Sequence, residues 1–365
     1  MKFKHLLALA VILIFSFCLF APSLPAFQKK DQEKKAPESN IIIIPDKVKT
    51  VLNEGLKTRE VRLDIPFSIV WHLYLPAREN MHSIFFFKVK NADLGFMPMS
   101  TAPQATKEEK GQEKTKAQEV EAAPATLQAS GHVFLQFNRL EDNTPKELVK
   151  EVYIPLNLQV DSSSYDPNKE ELYSTAYPLP PGNYILSMAI TSLDLEKIGT
   201  QYFEFNLPNG LSYTEELGTT PVFFVKSIKR MPEAETKAEV HKDFFTYSVL
   251  QIEPNIEKAF HVGDNLDIFF FILGSVPDQE GKYSLDVNYE VDKGEEKVIR
   301  YATAHYDAPL VSQPLPMKKT VLIKKGEEER KEQRDIEPGQ YTLNIIINDK
   351  ISNRSVTKSV NFEVK

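Results

Sequence analysis

Leu179-Pro180-Pro181-Gly182-Asn183-Tyr184-Ile185-Leu186 and Ile336-Glu337-Pro338-Gly339-Gln340-Tyr341-Thr342-Leu343 are the two stretches whose reading decides the fold. Each is an aliphatic residue, a Pro-Gly pair and a tyrosine at the same offsets, running into a strand. Proline presets φ at the second position of a turn, and glycine tolerates the positive φ that a type II turn needs next. The residues that follow alternate. Tyr184, Leu186, Met188 and Ile190 share one face, as do Tyr341, Leu343, Ile345 and Ile347, with Thr342, Asn344 and Asn348 on the other. The two stretches keep register without a gap through Ile190 and Ile347.

Outward from this pair the likeness continues. Phe203-Glu204-Phe205 and Phe362-Glu363-Val364 follow at nearly equal distance, and upstream Ile84-Phe85-Phe86-Phe87 matches Ile268-Phe269-Phe270-Phe271. Matches in the same chain order indicate a duplicated module. In the first copy, strands are expected at Val61 to Ile65, Ile69 to Leu75, Ile84 to Val89, Val133 to Phe137, Glu151 to Val160, Leu172 to Tyr177, Tyr184 to Ile190 and Tyr202 to Phe205. Pro221 to Ile228 is expected to close that copy. The second copy is expected to use Phe244 to Ile252, Leu266 to Leu273, Tyr283 to Val291, Val298 to Tyr306, Met317 to Ile323, Tyr341 to Ile347 and Ser359 to Val364. Gly326 to Arg334 is expected to be a solvated hairpin tip. Short strands separated by turn signals at this spacing indicate sandwiches. One helix is expected after Pro45, because Val48, Val51, Leu52 and Leu56 form a single apolar stripe.

The Pro-Gly-x-Tyr segment resembles the penultimate strand of immunoglobulin-like and fibronectin-III domains, where the tyrosine hydroxyl bonds backbone upstream. The resemblance implies an all-β chain of two tandem sandwich modules, and the whole is similar to secreted bacterial proteins built in that way. The boundaries read as residues 1–26 for a signal peptide, 27–40 for a disordered leader and 41–228 for module one with its helix. A polar insertion at 100–130, a linker at 229–243 and module two at 244–365 complete the plan.

Lys2, Lys4 and His5 precede an apolar run from Leu6 to Ala21, broken by Pro22 and Pro25, which is the plan of a secretory signal with cleavage after Ala26. The alternative is a retained N-terminal anchor. Cys18 is the single cysteine and follows Phe17, where lipid attachment requires a small residue. Export would therefore leave no disulfide and no thiolate site. Without Lys2 and Lys4 the 44 basic residues become 42 against 51 acidic, a formal charge near −9. That balance, with no basic stripe, argues against nucleic acid. No other apolar run approaches the length of a membrane span, so the product is expected to be periplasmic or extracellular.

No serine-hydrolase elbow, phosphate loop, dinucleotide fingerprint or zincin motif is present. Six histidines follow the signal (His72, His82, His132, His241, His261 and His305), none at metal-pair spacing to another. Asp161, Asp166, Asn168 and Glu170 are the calcium candidates, oxygen ligands crowded into one loop without EF-hand spacing. His305 with Asp307, and His261 with Asp264 and Asp267, read as surface pairs and turns. The phenylalanine runs read as core unless Phe86 or Phe270 is exposed. The expected function is a non-catalytic exported interaction or structural protein that binds a protein or glycan in the cell envelope or outside. No cofactor is expected. The alternatives are an extracytoplasmic hydrolase with a carboxylate site at the module interface, or an accessory subunit of an envelope assembly. A concave pocket between the modules with convergent Asp, Glu or His would favour the hydrolase.

Overall fold

The computed structural model describes residues 43–99, 126–208, 216–325 and 328–365. The residues read as signal and leader, and most of the expected insertion, lie outside the described residues. Four sheets and a two-stranded ribbon account for the strands. The first sheet runs in the order β1 (Phe67–Ala77), β2 (Asn80–Lys90), β6 (Glu170–Leu179) and β11 (His241–Lys242). Facing it is β5 (Thr144–Asp161), β4 (Thr126–Glu141), β7 (Gly182–Ser192) and β8 (Ile198–Leu207), with β3 (Met97–Pro98) on one end of β4. The third sheet is ordered β12 (Phe245–Tyr247), β13 (Leu250–Pro254), β10 (Phe223–Arg230), β15 (Asn265–Leu273) and β19 (Leu310–Pro316), with β9 (Gly218–Thr219) against β15. The fourth is β14 (Ala259–Phe260), β23 (Arg354–Val364), β22 (Gly339–Asp349), β16 (Leu285–Lys293) and β17 (Glu296–Arg300), with β18 (Ala304–Tyr306) on β16. The ribbon pairs β20 (Lys318–Lys325) with β21 (Glu328–Asp335).

The chain is all-β, and one strand order occurs twice. β1-β2-β6 over β5-β4-β7-β8 in the first module repeats as β10-β15-β19 over β17-β16-β22-β23 in the second. Both Pro-Gly-x-Tyr stretches enter equivalent strands, β7 and β22. The Tyr184 hydroxyl donates to the Pro180 carbonyl at 2.7 Å, and that of Tyr341 donates to the Glu337 carbonyl at 2.7 Å. A cation lies over each ring. The Arg139 guanidinium sits 4.6 Å from the Tyr184 centroid, and Lys293 Nζ sits 5.4 Å from that of Tyr341. Gly182 and Gly339 have φ of 145° and 154°, positive as expected but well beyond the value of a type II turn.

Several expected strands fall elsewhere. Phe223–Arg230 does not close the first module: β10 pairs with β13 and β15 in the third sheet. The Phe244 to Ile252 strand is two strands of a hairpin, folded back at Ser248, which has φ of 53°. Val298 to Tyr306 is divided into β17 and β18. Met317 to Ile323 supplies the ribbon rather than a sheet, and its partner β21 takes in most of the expected hairpin tip. The strand the second sandwich uses in its place is β19, whose Pro314 and Pro316 hide it from a pattern search. As an edge strand it can do without their amide hydrogens. Val61 and Leu63 are exposed, and apart from one bridge from Leu63 to Gly199 that segment is not a strand. Thr126 to Ser130, expected in the insertion, begins β4.

α1 (Asp46–Thr58) lies on the outer face of the β4-β7-β8 sheet. Val48 and Leu52 are fully buried there with Ile44, against Phe134, Ala189 and Ile198. Arg59, in the left-handed region, ends the helix by donating its amide to the Gly55 carbonyl at 2.7 Å. Among the described residues no helix is long and apolar enough to cross a membrane.

Candidate functional site

Residues 43–365 form one unit, and the seam between the modules is built from aromatic side chains. Trp71 of β1 stacks on Phe86 of β2 at 5.0 Å and meets Phe223 of β10 edge-on at 6.1 Å. Phe86 also meets Phe245 at 5.8 Å, and Phe223 meets Phe269 at 5.4 Å. Phe223, Phe245, Phe269 and Phe271 belong to the second module by sheet, yet they share a buried cluster with the first module's core. Phe224, Phe270 and Ile268 face the other way, into the second module's own core. Phe86 and Phe270 are both fully buried, so the phenylalanine runs are core.

The chain crosses this seam repeatedly. After β10 it leaves the third sheet, runs through Met231 to Val240 and adds β11 to the edge of β6 in the first module, with His241 opposite Ser174 and Lys242 opposite Tyr173. It then returns as β12. Met231 to Asp243 is therefore a strap joining both modules. Glu171, buried on β6, accepts from Lys169 at 3.0 Å and from Lys242 of the strap at 3.2 Å. Burial raises its pKa, but the two lysine hydrogen bonds outweigh burial and hold the carboxyl below its ordinary range. Ser174 donates to the Phe244 carbonyl at 2.5 Å, and Tyr247 donates to the Pro76 carbonyl at 2.5 Å.

Between strap and seam is a small cavity of about 70 Å³, lined by residues that include His82 and Ser174 of the first module, Glu235, Glu239 and His241 of the strap, and Thr246 of β12. His241 Nε2 lies 3.0 Å from Glu235 Oε2, which also accepts from the Thr246 hydroxyl at 2.8 Å. The His241 ring stacks on Phe244 at 4.7 Å, which fixes its plane. His82 Nε2 lies 3.1 Å from the Thr246 carbonyl. A carbonyl only accepts, so Nε2 carries the hydrogen. Burial pushes the His82 imidazole below its ordinary range, against the opposing pull of the Thr246 carbonyl and the Glu235 charge. Glu235, Glu239 and His241 are, among the described residues, the one group of three metal-ligating side chains whose donor atoms all lie within 4.8 Å of one another.

The calcium candidates fare differently. Asp161 Oδ1 accepts from the amide and hydroxyl of Ser163 at 2.8 and 2.9 Å, and Asp166 Oδ1 accepts from the Asn168 amide at 2.8 Å. Both carboxylates cap their own turns, and Glu170 is exposed at the start of β6. His305 pairs with Asp286 across the sheet at 2.5 Å and not with Asp307. His261 and Asp264 close a turn, the His261 amide donating to Asp264 Oδ2 at 2.7 Å. Sequence spacing missed the junction cluster because its members lie on an irregular segment read as a linker. Its signal was the run Glu233, Glu235, Glu239 and His241, acidic residues closing on an imidazole.

No protein-family model matches the chain, and no curated protein matches it in sequence.

Proposed function

We propose that this chain is an exported, non-catalytic interaction protein whose tandem immunoglobulin-like or fibronectin-III-like modules bind a protein or glycan as one rigid body. The subfamily reading is supported by the repeated strand order and by the two tyrosine hydroxyls on carbonyls four residues upstream. Export is supported by the basic start, apolar run and proline break before Ala26. The observation that carries the binding reading is the aromatic seam. Modules held face to face by Trp71, Phe86, Phe223, Phe245 and Phe269 present one fixed composite surface, so a partner spanning both loses less freedom on binding.

The junction cavity favours a second reading, a hydrolase with Glu235 and His241 at its centre. Its size argues against this. About 70 Å³ takes a water or an ion, whereas substrate clefts run to roughly 300–1,000 Å³. The test is affinity capture from native envelope extract, using the mature chain and a version lacking residues 100–125, which spares β4. Specific retention of a protein or glycan by the mature chain supports the binding reading. Failure to retain any, together with turnover of ester, glycoside or peptide substrates that Glu235→Gln abolishes, replaces it with the hydrolase. An unchanged partner set in the shortened chain assigns recognition to the sandwiches rather than to that segment.

A further inference from the structure

We infer that the junction cavity is a binding site for a divalent transition cation of the zinc class, held by Glu235, Glu239 and His241 and serving to lock the strap across the two modules. The donor set is mixed: one imidazole nitrogen and two carboxylates. This suits zinc and its neighbours, while calcium prefers oxygen alone. Tetrahedral zinc with bonds of about 2.0–2.1 Å places its ligand atoms roughly 3.3 Å apart. The three donors are already within 4.8 Å of one another, and one pair is at 3.0 Å. Side-chain rotation in the exposed Glu239 closes the remainder.

Two further observations converge on the same place. The donors open onto a cavity of about 70 Å³, ample for a cation with a bound water. A second imidazole, the largely buried His82, lines that cavity. With Nε2–H turned to the Thr246 carbonyl, its Nδ1 is the lone-pair nitrogen, and no described residue hydrogen-bonds it. The ligand shell is itself supported: Thr246 holds Glu235, and Phe244 holds the His241 ring, as outer contacts do around bound metals. Glu235, Glu239 and His241 all lie on the strap, while His82 and Thr246 come from the two modules. A cation there cross-links the strap to itself, and the strap is held to the second module by the Thr246 hydroxyl on Glu235 and to the first by β11 on β6.

The measurement is zinc binding to the full mature chain after removal of metal, by calorimetry and by metal content after dialysis, with calcium as a parallel probe. One zinc per chain is expected, with no calcium. Affinity should fall at least about tenfold in His241→Ala and in Glu239→Gln, since even outer-contact losses typically cost 10–100-fold. Glu239 is exposed, so Glu239→Gln keeps the fold and stays informative if His241→Ala does not. Zinc should also raise the thermal midpoint of the wild type and not that of His241→Ala. No bound zinc, or zinc held equally well by Glu239→Gln and a folded His241→Ala, overturns the site. Either result leaves the partner-binding reading untouched, because that rests on the seam and not on the cavity.

Discussion

In the first module the outer face of the β5-β4-β7-β8 sheet carries Phe134, Ala189 and Ile198 under α1. In the second, the same face of β17-β16-β22-β23 carries Asn288, Glu290, Thr342, Asn344, Ser359 and Asn361, with no helix over it among the described residues. There the side chains satisfy one another: Thr342 donates to Asn361 at 3.0 Å, Ser359 to Asn344 at 2.6 Å and Asn344 to Asp292 at 2.6 Å. Inward-facing residues of both copies are alike, since both must fill a core between two sheets. Outward-facing residues are free to differ, so they decide which copy recruits an extra element. The same freedom appears on the opposite side. In the β2 strand the middle phenylalanine, Phe86, points to the seam. In the aligned β15 strand the middle one, Phe270, points to its own core, and its neighbours Phe269 and Phe271 point to the seam. A shift of one residue exchanges the faces of a strand. Three phenylalanines in a row tolerate that exchange because every position is buried either way.

The largest test of this comparison is Phe86→Ala beside Phe269→Ala. Each should cost about 3–5 kcal/mol, as expected for a large core residue. Because the seam is shared, either change should lower one common transition rather than that of a single module. Trp71, the one tryptophan, stands in the seam and reports it directly. Urea unfolding followed by Trp71 emission and by far-ultraviolet dichroism should coincide. Emission changing at clearly lower urea would show that the seam opens while both sandwiches stand, and the shared core would be lost as an explanation.

A smaller effect separates the modules by pH. His72, on β1, stacks on Phe85 at 4.7 Å and hydrogen-bonds Ser83 at 2.7 Å. Burial lowers its pKa to about 3. Between its ordinary value of 6.5 and about 3 the unfolded chain binds a proton that the native chain refuses. Stability is therefore complete above pH 6.5 and falls as the pH drops through that window, by at most about 1.4 kcal/mol per pH unit for this group. His82 acts in the same direction. In chemical denaturation between pH 7 and 5, His72→Gln should flatten the dependence. An unaltered slope would place the acid sensitivity on groups other than His72, His82 first among them.

The smallest effects should be the most alike. Tyr184→Phe and Tyr341→Phe each remove one hydroxyl-to-carbonyl bond and should each cost about 1 kcal/mol. Alanine at the preceding glycine should break the symmetry. A Cβ at Gly182 would stand 1.4 Å from the Arg139 guanidinium, whereas one at Gly339 comes no nearer than 3.1 Å to the end of Lys293 and 3.7 Å to the Tyr341 ring. Gly182→Ala should therefore be the more damaging, measured as the shift in urea midpoint. Equal shifts would mean that Arg139 moves aside at no cost.

Much of this was legible in order. The Pro-Gly-x-Tyr turns, the alternating strands after them and the stripe of Val48, Leu52 and Leu56 are short-range patterns, and each lies where its period places it. β19 was not legible, because Pro314 and Pro316 remove the signal that marks a strand. The true partners of Phe223 to Arg230 were not legible either, since an apolar strand matches several sheets equally well. The candidate site was the least visible, as it joins His82 to a strap far along the chain.

By itself, then, the sequence determined an all-β chain, the two Pro-Gly-x-Tyr turns with the strands they open and the helix over 46–58, because turn chemistry and hydrophobic period act between near neighbours. Only the tertiary structure decided that the modules share an aromatic seam, that the supposed linker crosses it twice, and that Glu235, Glu239, His241 and His82 meet there. Those outcomes depend on which buried face meets which, and a strand apolar on both faces carries no local instruction about that choice.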